Sequence, residues 1–374
     1  MRIAMDCRAI ESGATGIGTF AASALRALLQ APPAGGLAVL ARPGAGLGGN
    51  VPASVLVIEV GPTRPLWYEL ELPVLLEEER ADIFFSPLFA CPVVRGARYV
   101  VAIHDVFPES HPELCTAEFG EFWKRRLGSS LRAACHALTV SEWSKRQIVE
   151  RLGLSPDRVT VVRQSVGDEF QVLEPGAIAP VLGKYGLRGG GYVLYVGALD
   201  PRKNLERLIG AFARLSGDRL RLVLTGKAVT KGYDLAAAAR RRGIEGRVSL
   251  LGHVEQGDLP ALYGGARAFA FPSLAEGFGR PPIEAMACGV PVVASARTAL
   301  PETCGDAALL PDAEDETALA DCLERACCDE LVRGQLIRAG LERARGHKVR
   351  RFACDLASAF SAAMAGPVEG LWSA

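Results

Sequence analysis

The chain has 374 residues, of which 49% are hydrophobic and 22% charged, and its 42 basic residues balance 42 acidic ones. This length and composition are typical of a protein with two globular domains, each able to bury a core. The formal net charge of zero excludes a general electrostatic affinity for nucleic acid.

The ten cysteines are scattered, without a CxxC pair or a Cys/His cluster of metal-binding spacing. The N-terminus lacks the long apolar core of a signal peptide, and no apolar run reaches the ~18 residues that a membrane span needs. We therefore expect a protein of the reducing cytoplasm.

Strand and helix patterns alternate through the first half of the chain. Strands are predicted at residues 3–5, 37–40, 55–60, 83–86, 99–103, 138–140 and 159–162, and helices at 20–29, 66–79, 117–134 and 142–152. Continuous apolar strands that alternate with helices indicate a parallel sheet covered on both faces. The first half is therefore predicted to be a doubly wound α/β domain.

The predicted helix at 117–134 is amphipathic. Between Phe119 and Arg132 it mixes aromatic and leucine side chains with basic ones. We favour a helix packed on the sheet, and the same pattern fits a helix lying on a membrane surface. Peripheral contact with the inner face of the membrane is therefore an open alternative.

The composition changes between residues 169 and 191, which hold two prolines and six glycines and show little periodicity. We predict the linker between domains there. The pattern then resumes, with strands at 192–196, 220–224, 248–251, 268–271, 290–294 and 307–310, and helices at 205–215, 233–242, a pair within 314–345, and 350–364. The second half is thus predicted to be another doubly wound α/β domain.

The most informative motif runs from Glu276 to Glu284 and holds two glycines and a pair of prolines between the glutamates. It lies between a predicted strand and a helical segment, so Glu276 is expected on a loop and Glu284 in the first turn of a helix. A helix N-terminus exposes N–H groups that suit a phosphate, and carboxylates beside it accept hydrogen bonds from hydroxyls. This combination describes a nucleotide-sugar site. The alternatives are a hydrolase pair and two surface charges.

A second motif, Arg202-Lys203-Asn204, follows the predicted strand at 192–196 and opens a helix. A lysine at a helix start opposes the helix dipole, so an anion is expected beside it, although a solvated helix start has the same pattern. Fixed cations here would neutralise a leaving diphosphate. A diphosphate site argues against the hydrolase interpretation.

The stretch from Glu276 to Glu284 resembles the E-x7-E signature of the retaining glycosyltransferases of family 4, which have the GT-B fold. Four further segments resemble that family's glycine loop, histidine segment, diphosphate loop, and the helix and strand after the signature. In that order they are Thr15–Phe20, Ile103–Asp105, Gly197–Asn204 and Glu284–Ala294. Each segment is a weak or moderate signal, but the ordered set touches nearly the whole chain. The resemblance is nearest to bacterial mannosyltransferase-like members.

The resemblance implies two Rossmann-like domains facing across a cleft. We set the boundaries at 1–170 for an acceptor-binding domain and at 171–349 for a nucleotide-sugar-binding domain. Residues 350–374 then form a C-terminal helix that returns to the N-terminal domain.

The resemblance also implies residue roles, with Glu276 on the hydroxyls of the donor sugar and Glu284 on those of the ribose. The catalytic residues it implies are His104, Arg202, Lys203 and Glu276. The donor-binding residues it implies are Gly16, Gly18, Arg202, Lys203, Gly277, Phe278, Gly279, Arg280 and Glu284. A purely structural histidine at position 104 and a simple tight turn at the two N-terminal glycines are the alternatives.

The chain departs from the family pattern at two positions. Ala198 stands where the family often has an arginine, and Arg280 replaces the usual apolar residue, either to contact the diphosphate or to cover the rim of the cleft. The chain also has no Asp-x-Asp pair, which holds a divalent cation in the other main glycosyltransferase architecture. Neither a metal nor a cofactor is therefore expected.

The sequence thus predicts a retaining, metal-independent glycosyltransferase that moves a hexose from a nucleotide-diphosphate sugar to a glycan or lipid-linked acceptor. GDP-mannose is the first choice of donor and a UDP-hexose the second. The alternatives are a nucleotide-sugar epimerase or phosphorylase on the same fold, and a non-catalytic nucleotide-sugar-binding module.

Overall fold

The computed structural model describes residues 1–10, 16–45, 47, 51–61, 67–92, 97–216, 219–230 and 232–372. The chain forms two compact units: unit 1 is Met1–Ser165 with Val349–Ala374, and unit 2 is Val166–Lys348. The first division therefore follows Ser165, where the sequence prediction placed it after residue 170.

The elements alternate along the chain. The strands are β1 (Ile3–Asp6), β2 (Leu37–Ala41), β3 (Leu56–Glu59), β4 (Ile83–Ser86), β5 (Arg98–Ala102), β6 (His136–Thr139), β7 (Val159–Val161), β8 (Tyr192–Val196), β9 (Arg221–Thr225), β10 (Val248–Gly252), β11 (Ala268–Phe271), β12 (Val292–Ala294) and β13 (Ala308–Leu309). The helices are α1 (Gly16–Gln30), α2 (Trp67–Glu78), α3 (Phe107–Ser110), α4 (Ala117–Ala133), α5 (Glu142–Leu152), α6 (Pro175–Lys184), α7 (Leu205–Ala213), α8 (Leu235–Arg241), α9 (Leu259–Gly264), α10 (Arg280–Ala287), α11 (Leu300–Cys304), α12 (Glu316–Cys328), α13 (Glu330–Arg345) and α14 (Val349–Ala365).

Unit 1 is built on a parallel sheet in the order β3-β2-β1-β4-β5-β6-β7. Ile3 of β1 pairs with Leu37 of β2 on one side and with Ile83 of β4 on the other. Every residue of β1, β2, β4 and β6 is buried, which explains why these strands are apolar without alternation.

Unit 2 is built on a parallel sheet in the order β10-β9-β8-β11-β12-β13. Phe269 of β11 pairs with Leu194 of β8 and with Val292 of β12. The strand order reverses between β8 and β11, and ligands of doubly wound sheets bind at the carboxyl ends of the strands at such a reversal. Both sheets confirm the predicted doubly wound α/β fold class.

Several local predictions are wrong. Residues 169–191 contain α6 and belong to unit 2, so they are not a linker. In α6, Leu182 is buried and Ile178 and Val181 are half-buried, a short apolar stripe at i, i+3 and i+4 that the two prolines and two glycines of the helix obscure in the sequence. Gly16 and Gly18 lie in the first turn of α1 and not in a loop, while Thr15 falls outside the described residues.

Two site motifs are also shifted. Arg202 and Lys203 lie in a 3-10 turn, Pro201–Lys203, and α7 begins only after Asn204. Glu284 is the fifth residue of α10 and thus lies in its second turn, because the helix already begins at Arg280. The pair of prolines explains this early start, since proline fits the first positions of a helix.

The C-terminal segment packs within unit 1. The backbone N–H of Leu371 donates to Ala134 O at 2.8 Å, and the indole Nε1 of Trp372 donates to Leu152 O at 2.6 Å.

In α4, Trp123 is buried and packs against Phe89 at 4.7 Å between ring centroids. Within the described residues, no helix has the length and apolarity to cross a membrane.

Candidate active site

The candidate site lies in unit 2, on the loops that follow β8 and β11. The β8 loop packs tightly on the loop after β9, because a Cβ built on Gly226 would lie 1.8 Å from Gly197 O. Gly226 also has a φ of +144°, which only glycine adopts easily. The two loops are therefore held in register by backbone contact.

The basic pair is fixed by hydrogen bonds to the β11 loop. The backbone N–H of Leu274 donates to Arg202 O at 2.9 Å, and Arg202 Nη1 donates to Ala275 O at 2.7 Å. Asn204, in the left-handed conformation at φ +59°, donates its side-chain amide to Pro272 O at 3.2 Å. These bonds hold the two cations that follow β8 beside the loop that follows β11.

Glu276 lies between the two cations. Lys203 Nζ donates a hydrogen bond to Glu276 Oε1, and Arg202 Nη1 lies 3.5 Å from Glu276 Oε2. Burial alone would raise the pKa of the Glu276 carboxyl, but the charges of Lys203 and Arg202 hold it below its usual range. Burial lowers the pKa of Lys203, a shift that its pairing with Glu276 opposes. The structure therefore brings three predicted catalytic residues into one charged cluster.

The loop between the two glutamates has little freedom. The backbone N–H of Glu276 donates to Thr298 Oγ1 at 2.9 Å, and Thr303 Oγ1 donates to Phe278 O at 2.6 Å. Phe278 is buried, whereas Gly277 is half-buried. Gly279 has a φ of +94°, and a Cβ there would lie 2.4 Å from Leu300 Cδ2. Only glycine fits at this position.

Gly279 caps the N-terminus of α10, and the first three residues of that helix are Arg280, Pro281 and Pro282. Because proline has no N–H, the backbone donors at this helix end belong to Gly279 and Arg280. The Arg280 side chain turns along the helix, and its Nε lies 2.9 Å from Glu284 Oε1. A cation at a helix start opposes the dipole, and this ion pair offsets the cost.

Glu284 has a second partner that the sequence did not reveal. Tyr263, at the end of α9, is fully buried and donates its hydroxyl to Glu284 Oε2 at 2.9 Å. Burial and the adjacent carboxylate raise the pKa of the tyrosine well above its usual value, so it stays a donor. Tyr263 thus binds one oxygen of Glu284 by a hydrogen bond and Arg280 lies beside the other as an ion-pair partner. The prediction lacked α9 as well as its tyrosine.

The other predicted residues lie in unit 1. His104 follows β5, its Nε2 lies 2.8 Å from Pro87 O, and its ring packs edge-on against Phe20 of α1 at 4.8 Å. Burial lowers the pKa of the imidazole, so it is neutral near pH 7. Gly16 begins α1 and is exposed, with no atom within 4 Å of a built Cβ, and Gly18 is buried one half-turn later.

The ionic and hydrogen-bonding side chains of the candidate site thus form two sets. The first joins Arg202, Lys203 and Glu276, and the second joins Tyr263, Arg280 and Glu284. Among the residues that the structure describes, no group of three or more His, Cys, Asp or Glu side chains is arranged to hold a metal ion.

Comparisons with known proteins match both halves of the chain. Residues 20–170 match the family model described as Glycosyltransferase Family 4, and residues 184–343 match the model described as Glycosyl transferases group 1. The chain is 34% identical over 287 residues to O-antigen chain mannosyltransferase B of Escherichia coli, covering 76% of this chain and 73% of that protein. It is 32% identical over 240 residues to serotype-specific mannosyltransferase WbdA of Escherichia coli, of whose length it spans only 29%.

Two solved structures share the fold. The sucrose-phosphate synthase of Thermosynechococcus elongatus superposes with a TM-score of 0.78 at 19% identity, covering 98% of this chain and 99% of that one. Anabaena Alr3699/HepE in complex with UDP and glucose superposes with a TM-score of 0.77, also at 19% identity, covering 96% and 99%. Both likenesses concern the fold alone, and they confirm the predicted GT-B architecture.

Proposed function

Because this chain belongs to glycosyltransferase family 4 and is similar to its bacterial mannosyltransferases, we propose that it transfers mannose from a nucleotide-diphosphate donor to a glycan or lipid-linked acceptor. The observation that carries the proposal is the cluster of Arg202, Lys203 and Glu276 at the reversal of the unit 2 sheet. Two fixed cations suit a diphosphate, and a carboxylate beside them suits sugar hydroxyls.

In this proposal, Arg202 and Lys203 stabilise the charge that develops on the departing diphosphate. Arg202 is held by its hydrogen bonds with the Leu274 N–H and Ala275 O, and the N–H of Lys203 donates to Asp200 O, so little reorganisation accompanies the reaction. The departing phosphate oxygen takes the proton of the acceptor hydroxyl on the face from which it leaves, and the sugar keeps its anomeric configuration. These fixed cations do the work of a divalent metal, and the proposed reaction needs none.

Glu284 holds the ribose in this proposal. Its carboxylate is oriented by Tyr263 and Arg280 and can accept hydrogen bonds from neighbouring hydroxyls through its remaining lone pairs. The backbone N–H groups of Gly279 and Arg280 contribute donors for a phosphate oxygen. Unit 1 supplies the acceptor site, with neutral His104 as a hydrogen-bonding residue of that site.

We also propose that the protein works in the reducing cytoplasm, because all ten cysteines are free thiols. A lipid-linked acceptor would bring it to the inner face of the membrane. GDP-mannose is the proposed donor, on the strength of the mannosyltransferases that it resembles.

Thermal unfolding with nucleotides tests the donor, because a bound ligand stabilises the folded state by mass action. We expect GDP to raise the unfolding midpoint more than UDP or ADP does. Incubation of GDP-mannose with mannose-containing acceptors should then give a mannosylated product. Isomerised donor without acceptor would instead indicate an epimerase, and binding without any conversion would indicate a non-catalytic module.

A further inference from the structure

In the first set the Glu276 carboxylate is paired with both cations without any ligand, and the three groups keep one net positive charge. Glu276 places one carboxylate oxygen on Lys203 and the other within 3.5 Å of Arg202. Lys203 and Glu276 are nearly enclosed, with side-chain exposures of 9% and 12%. A carboxylate thus lies on the cations that a diphosphate requires.

A diphosphate and the Glu276 carboxylate are anions that need the same donors. Lys203 presents three N–H groups, but its burial restricts where a second anion can approach. A phosphate that takes Lys203 must therefore displace or weaken the Glu276 pair. A buried carboxylate that loses its partner is costly unless new donors replace it.

We propose that Glu276 is an internal competitor for the diphosphate, and that the sugar of the intact donor compensates for its displacement. This inference rests on the proposed function. Sugar hydroxyls donate to the displaced carboxylate, so the intact donor restores its hydrogen bonds. A free nucleoside diphosphate has no sugar to do so, and Glu276 then competes with it for Lys203.

This competition gives Glu276 a role in product release. Once the sugar has moved to the acceptor, the carboxylate loses its hydroxyl partners and returns to Lys203 and Arg202. The Glu276 carboxylate, which had accepted hydrogen bonds from the donor sugar, thus displaces the product diphosphate from the cations. The site therefore discriminates in favour of donor over product, although both carry the same nucleotide.

The test compares the binding of inorganic pyrophosphate, GDP and GDP-mannose by calorimetry in the full chain and in Glu276→Gln. The glutamine amide has nearly the shape of the Glu276 carboxylate but lacks the negative charge that competes with phosphate. We expect GDP and pyrophosphate to bind about tenfold more tightly to the variant, by the scale of one charge-assisted hydrogen bond. GDP-mannose should gain nothing, so the preference for donor over product should shrink about tenfold.

Asp200→Asn is the matched control. Asp200 lies close enough to influence Lys203, yet it makes no ion pair among the described residues and its Oδ1 is buried without a hydrogen-bond partner. An equal gain of affinity in Asp200→Asn would mean that removing any nearby negative charge tightens the binding of GDP and pyrophosphate. That result would overturn the proposal. Unchanged or weaker binding of GDP and pyrophosphate by Glu276→Gln would also overturn it.

Glu276→Ala also removes the carboxylate, and its affinity for GDP and pyrophosphate should rise by the same factor. Agreement of the two variants shows that the gain does not come from the glutamine side chain itself. Thermal unfolding without ligand confirms that each variant folds. If the unaltered chain binds pyrophosphate but none of GDP, UDP, ADP or GDP-mannose, the proposed function fails, while the pyrophosphate comparison still decides the competition. If it binds none of these ligands, both proposals fail together.

Discussion

Lys203 and Glu276 form the ion pair at the centre of the candidate site, with Arg202 Nη1 3.5 Å from the second carboxylate oxygen. Glu276 and Lys203 could be predicted because each follows a strand within a recognisable motif. Their ion pair could not, because they are 73 residues apart and meet only when β8 pairs with β11. Tyr263 had no local pattern to mark it, since its partner Glu284 lies 21 residues further along the chain.

Replacing Lys203 with alanine should reduce the rate of transfer on the order of a hundredfold or more, the scale of losing one preorganised electrostatic group. The loss should appear in kcat, because the diphosphate charge grows in the transition state. Steady-state kinetics with GDP-mannose measures it. Turnover near that of the unaltered protein would refute the role of Lys203 in leaving-group stabilisation.

Tyr263→Phe should weaken GDP binding about tenfold, because Glu284 Oε2 loses the donor that orients it. Tyr192→Phe is the matched control, since Tyr192 is equally buried but donates to the backbone oxygen of Leu262 at 2.6 Å. Calorimetry should show weaker binding only in the first variant. Equal losses would mean that Tyr263 supports the fold rather than the ribose site.

Among elements, the described strands could all be predicted, even the exposed β3 and the two-residue β13, whereas the helices α3, α6, α9 and α11 could not. The continuous apolar pattern of β8 and β11 reflects burial on both faces. Helix α6 has only a short apolar stripe, formed by Ile178, Val181 and Leu182, among two prolines and two glycines. The start of α10 is set by its two prolines, a local pattern, and by Gly279, whose lack of a side chain beside Leu300 no local pattern reports.

The junction of β6 and β7 should make stability depend on pH. Burial, followed by the charges of Arg158 and Lys145, lowers the pKa of His136 to about 4, and its Nε2 lies 2.8 Å from Thr160 Oγ1. The unfolded chain takes up this proton near the usual histidine pKa of about 6.5, whereas the folded chain does not. Stability should therefore fall as the pH drops from 6.5 to 4, by at most about 3 kcal/mol from this group.

Denaturant unfolding of the unaltered protein and of His136→Gln, at several pH values across this window, isolates the contribution. The variant should lose less stability on acidification, because it has no imidazole to protonate. Parallel curves for the two proteins would contradict the buried, neutral state of His136.

Across the whole molecule, the repetition of the α/β pattern could be predicted, but the first division could not. The second division, which the family resemblance set after residue 349, lies one residue from the observed one after Lys348. Residues 166–191 hold the second unit's α6, so composition alone misplaced the first division. The C-terminal segment belongs to unit 1 through long-range bonds, such as Arg158 Nη1 to Gly370 O at 3.0 Å. A short stretch of sequence does not indicate such long-range contacts.

Gly370→Ala should destabilise unit 1 by about 1–3 kcal/mol, the usual cost of overpacking. A Cβ at this position would lie 1.9 Å from Arg132 O, so the terminal segment must move away from α4. Gly120→Ala is the control, because this glycine of α4 has open space around it and alanine favours a helix. Thermal unfolding should separate the two variants, and GDP binding by unit 2 should be retained in both.

We propose that this chain transfers mannose with retention of configuration, by means of fixed cations rather than a metal. The most direct test is the anomeric configuration of the product formed from GDP-mannose and a saccharide acceptor in excess EDTA, read from the anomeric coupling by NMR. We expect an α-mannoside, with most of the activity retained in the chelator. A β-mannoside would contradict retention, and a complete loss of transfer that magnesium restores would contradict the role of the fixed cations.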